Sequence, residues 1–172
     1  MCSPCRGPAL RYRNETRRAL MYYVVVSLLM VVCPVASILL EHAHHPIDMA
    51  SLVSKWFVFW AVGIRLLLAG MRQVFDPRYT AAKILGLEGD DALFVIRELG
   101  FANVAFGTLG ILTLVEPGWT GAAALAGGLF YGQAGINHAL HPDRNRLANV
   151  AMVTDLSAGA TLLVSLWLQV QR

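Results

Sequence analysis

Apolar runs of roughly twenty residues, broken by short polar connections, organise this chain. Five stand out, at residues 20–40, 52–71, 93–115, 119–140 and 147–170. A helix rises about 1.5 Å per residue, so each run can cross a hydrocarbon core of about 30 Å with some tilt. Small residues recur within the runs at steps of three and four: Gly100, Asn103, Gly107 and Gly110 in the third, Gly121, Ala124, Gly128, Gly132 and Gly135 in the fourth, Ala148, Ala151, Asp155 and Ala158 in the fifth. Such seams let helix backbones approach closely within a membrane. The pattern predicts an all-α integral membrane bundle of five transmembrane helices. The first is uncharged, rich in Val and Leu and contains Pro34; it is expected at the periphery, facing lipid on most sides.

Composition supports the class. With 56% hydrophobic and 15% charged residues and a mean hydropathy of +0.55, the chain is too apolar for a soluble domain, whose surface must carry charge. A net charge of +3 would suit nucleic acid, but the basic residues report topology instead. Arg6, Arg11, Arg13, Arg17 and Arg18 precede the first run; Arg72, Arg78 and Lys83 separate the second and third; Arg144 and Arg146 separate the fourth and fifth. The other side has only Lys55 and Arg172. By the positive-inside rule the N-terminus is cytoplasmic and the C-terminus outside, as five crossings require. The expected organisation is a cytoplasmic basic tail at 1–19, an N-terminal transmembrane helix at 20–40 and a four-helix membrane core at 52–170. The expected location is a bacterial inner (plasma) membrane, spanned several times, with the lipid bilayer as partner and no nucleic acid.

The connections carry little chemistry. Cys2 and Cys5 lie in the cytoplasmic tail and Cys33 in the first run, so no disulfide framework is expected. The apolar run after "TRRALM" is too long for the core of a cleaved signal, about 7–15 residues. "EHAHHPID" at 41–48 gathers His42, His44 and His45 with Glu41 and Asp48, but in a short loop without the helical spacing that pre-forms a metal site. In "DPRYTAAKILGLEGDD", Pro77 ends the second helix and Thr80 is positioned to cap a short amphipathic piece carrying Ala81, Ile84, Leu85 and Leu87. Asp90 and Asp91 suit the start of the next helix, and "HPDRN" at 141–145 reads as a tight turn.

The candidate site is polar and intramembrane. Arg65, Arg97, Glu98, Asn103, Gln133, Asn137, His138 and Asp155 all fall in the cytoplasmic half of the bilayer once the topology is set. A charge at mid-membrane costs about 2.5–3.5 kcal/mol on insertion scales, so four scattered charges would be expensive, whereas two cations and two anions at one depth neutralise one another. An interhelical network of Arg65, Arg97, Glu98 and Asp155 is therefore expected. Which arginine meets which acid stays open, because Arg97 and Glu98 point about 100° apart on their helix. Asn103, Gln133 and Asn137 also serve as ordinary helix-helix glue, and His138 as a solvated helix-end residue.

"WFVFWAVGIRLLLAGMRQ" and "RELGFANVAFGTLGI" together resemble the DoxX-like group of small bacterial inner-membrane proteins, over roughly residues 52–166. Arg65, Gly70, Arg72 and the block from Arg97 to Gly100 carry the resemblance. It implies a four-helix bundle formed by the second to fifth segments, with the first as an addition. Some relatives are subunits of membrane oxidoreductases that deliver electrons to quinone, which makes quinone an implied ligand. The chain departs from that pattern in its extra helix and has no recognisable redox-cofactor motif, so no cofactor is named.

Three functions compete. The first is a module that binds or transports a small amphipathic or anionic molecule in a pocket among the last four helices. The second is a structural or accessory subunit of a membrane complex, docked to a partner subunit. The third, an enzyme with Glu98 or Asp155 as base, ranks lowest and assigns no catalytic residue, because nearby arginines favour the ionised carboxylate.

Overall fold

The computed structural model describes residues 20–44, 48–85, 89–142 and 144–171, with the backbone alone for 83–85. The basic tail, Cys2, Cys5, His45, Leu87, Asp143 and Arg172 lie outside the described residues, as do the side chains of Lys83, Ile84 and Leu85. All described elements are helical. They are α1 (Leu20–His44), α2 (Met49–Phe75), a short α3 at 77–85, α4 (Asp91–Leu112), a single 3-10 turn (Pro117–Trp119), α5 (Thr120–Leu140) and α6 (Arg146–Val170). Four of these, α1, α2, α4 and α6, are long and apolar enough to cross a membrane. α5 matches them in length at 21 residues, but its glycines with Gln133, Asn137 and His138 lower its apolarity.

Many large apolar side chains point outward along these helices, among them Leu39, Val95, Phe101, Val153 and Val164. The hydroxyls among them are satisfied locally: Thr108 donates to the Val104 carbonyl at 2.9 Å, Ser157 to Val153 at 2.7 Å and Thr161 to Ser157 at 2.8 Å. A polar group in hydrocarbon needs such a partner on its own helix. Together these features mark a membrane protein.

α2 lies at the centre. Its close approach to α4 runs through glycines: Gly63 meets Gly110, Leu67 meets Gly107 and Gly70 meets Gly100. A methyl group at Gly107 would stand 2.5 Å from the Leu67 nitrogen, so the two backbones touch. α5 and α6 pack antiparallel along their length, with Gly121 on Leu166, Gly128 on Leu163, Gly132 on Gly159 and Gly135 on Leu156. Val58, Ala61, Val62 and Leu66 of α2 then join Ala123, Ala124, Tyr131, Ala158 and Leu162 in the core. The seams expected on the third and fourth runs are these contact lines; on the fifth, Ala148, Ala151, Asp155 and Ala158 are buried, but the line that meets the α5 glycines is Leu156, Gly159, Leu163 and Leu166.

At the far end, Ser54 and Ser165 share a hydrogen bond of 2.8 Å and Gln169 reaches the Ala50 carbonyl at 3.2 Å, fastening α2 to α6. α1 is fastened there too. Glu41 takes Lys55 at 2.6 Å and the Trp56 indole at 2.7 Å, and Ser37 accepts from Trp60 at 3.0 Å. Asp48 meanwhile caps α2 by accepting from the Ser51 amide at 3.0 Å. Residues 41–44, expected in a loop, continue α1, and both carboxylates of the 41–48 stretch are occupied with helix structure.

Two local expectations need correction. Thr80 is not a cap: Asp76 holds the N-cap position of α3, and Thr80 is buried one turn on. α1 is not peripheral throughout, because Val26, Leu29, Met30, Pro34 and Ile38 are buried against the bundle. At the turn before α6, Asn145 caps the helix, accepting from Ala148 at 2.9 Å. Arg144 there donates to the last carbonyls of α5, Ala139 at 2.6 Å and His138 at 3.2 Å. Cations are favoured at that helix end.

Candidate functional site

The site starts from Arg65, the last residue of a π-helical stretch of α2, Val58–Arg65. Stretches of this kind re-aim side chains and recur at functional positions. Its Nη2 donates to Asp155 Oδ1 of α6 at 2.7 Å, and Thr154 Oγ1 lies 3.5 Å away. The pair is well enclosed, with side-chain exposures of 14% and 8%. The guanidinium also lies 4.9 Å from the ring centre of Tyr131 on α5, a cation-π contact. Tyr131 is itself anchored, its hydroxyl donating to the Ala61 carbonyl of α2. Three helices thereby fix one guanidinium.

Arg65 forms part of the wall of a cavity of about 340 Å³. The lining is mostly apolar: Met21, Val25 and Leu29 from α1, Leu66 and Ala69 from α2, Leu99 from α4, Phe130 and Ala134 from α5. Tyr22, Tyr79, Thr80, Gln73, Asn103 and His138 add polar groups, and Arg72 lies at the same wall. Arg72 stacks on Tyr79, 3.9 Å from the ring centre, and meets Asp76 at 3.4 Å. Asn103, 3% exposed, donates through Nδ2 to Gln73 Oε1 at 2.7 Å. Among the described residues, two buried side-chain atoms have no hydrogen-bond partner, Arg65 Nη1 and Asn103 Oδ1. Both belong to residues that line this cavity.

A family model described as a family of unknown function (DUF6790) matches residues 20–172. The chain belongs to the DUF6790 family. No curated protein and no solved structure matches it. The DUF6790 span begins at Leu20, so it takes in α1 together with the other helices and every residue of the cavity wall.

Of the eight residues expected at the site, the structure brings four to the cavity: Arg65, Asn103, His138 and Asp155. The other four are placed elsewhere. Arg97 and Glu98 are exposed on α4, and Gln133 and Asn137 are exposed on α5. Among the described residues neither Arg97 nor Glu98 forms an ion pair, so the expected four-charge network reduces to the single pair Arg65 with Asp155. The physical reason is the seam. Gly100, Asn103, Gly107 and Gly110 face α2, and Arg97 and Glu98 fall to either side of that face, within two turns of the start of α4. Long charged side chains near a helix end can reach out to the membrane interface.

Tyr131, Gln73 and the α1 side chains are the members that the sequence did not disclose. Gln73 lay just past the end of the second apolar run, and Tyr131 reads as one more aromatic. A signal existed for Tyr131, since it sits four residues before Gly135 and so on the packed face of α5. Among the described residues no group of three or more His, Cys, Asp or Glu gathers as metal ligands.

Proposed function

We propose that this protein binds a small amphipathic molecule in the cavity among α1, α2, α4, α5 and α6, as a carrier or receptor module of a bacterial inner membrane. One observation carries the reading: Arg65 and Asn103, each with a buried side-chain atom that lacks a hydrogen-bond partner, both line a largely apolar cavity. An unmet buried donor costs about 1–3 kcal/mol, which a ligand oxygen would recover. At about 340 Å³ the cavity lies at the small end of ligand sites, which run to about 1,000 Å³. Asp155 is tied to Arg65 and is, among the described residues, the one carboxylate on the wall, which disfavours a proton-transfer enzyme.

Five spans with the N-terminus inside belong to the same reading. The support is that α5 lies along the whole of α6 and so shares its depth. A DoxX-like kinship of α2, α4, α5 and α6 is part of it as well; Gly70 and Gly100, which carry that resemblance, are in contact.

The test is a cavity-filling variant. Ala134→Phe should fill the space, and native mass spectrometry of protein taken from membranes in mild detergent should find a small molecule on the wild type and none on the variant. A wild type that carries nothing, and a variant whose unfolding midpoint is unchanged, would sink the reading.

The second reading, an accessory subunit, draws on a groove between α2 and α6 lined by Met49, Val53, Ala160, Val164 and Leu168, about 510 Å³ in volume. A transmembrane helix of a partner subunit fits such a groove. Light scattering that reports a lone monomer in solubilised membranes, with no second chain retained, would count against it.

A further inference from the structure

The two unmet atoms differ in kind, and that difference narrows the ligand. Arg65 Nη1 can only donate; Asn103 Oδ1 can only accept, its amide nitrogen being taken by Gln73. We propose that the cavity takes an amphipathic molecule with an uncharged head group that both accepts and donates a hydrogen bond, a hydroxyl above all. This rests on the binding reading given above.

Charge supports the same choice. Asp155 at 2.7 Å already neutralises Arg65, and Arg72 is met by Asp76 at 3.4 Å. An anion brought to Nη1 would be drawn by Arg65 and repelled by the Asp155 carboxylate bound to the same guanidinium. Its own loss of hydration would go largely uncompensated. Carboxylate and phosphate oxygens also only accept, so they would leave Asn103 Oδ1 unmet. An ammonium head has the opposite fault: it offers donors alone and would face two arginines. A hydroxyl can accept from the one kind of atom and donate to the other, and it carries no charge into the bundle.

The rest of the wall sets the body. Leu29, Leu66, Leu99 and Phe130 offer hydrocarbon, and about 340 Å³ holds a single short chain rather than a two-tailed lipid. α1 contributes Met21, Val25 and Leu29 to this wall.

The experiment compares two probes of equal chain length, decanol and decanoate, on the full chain in lipid nanodiscs at about pH 8, where the carboxylate is ionised. Isothermal titration against empty discs should show decanol bound about ten-fold or more tightly than decanoate, the worth of roughly one hydrogen bond. Arg65→Lys keeps the charge beside Asp155 but removes the second nitrogen, and should weaken decanol by about ten-fold. The wild-type comparison stands even where that variant does not fold. Decanoate binding as tightly as decanol, or more so, overturns the uncharged head while leaving the cavity as a binding site. Neither probe binding above the empty discs overturns both.

Discussion

Arg65 is held from three sides: Asp155 at 2.7 Å, the Tyr131 ring at 4.9 Å and the apolar wall of the cavity. Removing one member of an enclosed ion pair strands the other, at a cost of about 3–5 kcal/mol, whereas replacing both with apolar residues is far less harmful. Asp155→Asn should therefore lower the unfolding midpoint in detergent more than the double change Arg65→Met with Asp155→Leu, and a double-mutant cycle reads the difference. Arg97 and Glu98 should behave oppositely. Both are exposed, so Arg97→Gln and Glu98→Gln should each shift stability by no more than about 0.5 kcal/mol. A large loss of folded protein from either would show that they pair inside the bundle. The sequence revealed which residues were charged within the apolar runs. It could not choose among them, because neighbours on a helix point about 100° apart and both sides of that choice have the same composition.

Among the elements, the crossing of α2 and α4 depends on missing side chains. A methyl at Gly107 would meet Leu67 backbone at 2.5 Å, whereas one at Gly132 would find nothing within 4 Å. Gly107→Ala should then cost about 1–3 kcal/mol through forced separation of the helices, and Gly132→Ala should be neutral or stabilising by up to about 1 kcal/mol. Thermal unfolding of the two purified variants separates them; equal behaviour would mean that the seam is not a contact. The glycine seams were legible from spacing alone. α1 was not, because a uniformly apolar helix gives no face preference in its sequence. Its burial at Val26, Leu29 and Met30 came from the space left beside α2.

The molecule as a whole turns on α5. If it crosses, the chain spans the membrane five times and its ends lie on opposite sides; if it does not, four crossings put them on the same side. The excess of arginine before α1, after α2 and before α6 leads to the first outcome. A reporter fused after Arg172 should be active outside the cytoplasm, with alkaline phosphatase on and green fluorescence off. The reverse pattern would take α5 out of the membrane. α5 falls short of the other long helices in apolarity because of its glycines with Gln133, Asn137 and His138, and on its glycine face Ala123, Ala124, Gly127, Gly128, Tyr131 and Gly135 are all buried. Contact with α2 and α6 replaces contact with lipid there.

Sequence by itself determined the class of protein, the approximate lengths and positions of the helices, the glycine seams of α4 and α5 and the presence of costly charges within them. These follow from local periodicity and from the cost of polar groups in hydrocarbon, both of which are written residue by residue. Only the tertiary structure decided that Arg65 meets Asp155, that Tyr131 and Gln73 join them, that Arg97 and Glu98 stand outside and that α1 closes one wall of a cavity. Pairing across helices depends on their relative rotation and depth, which are set by how the seams of several helices interlock at once, and no single helix carries that information.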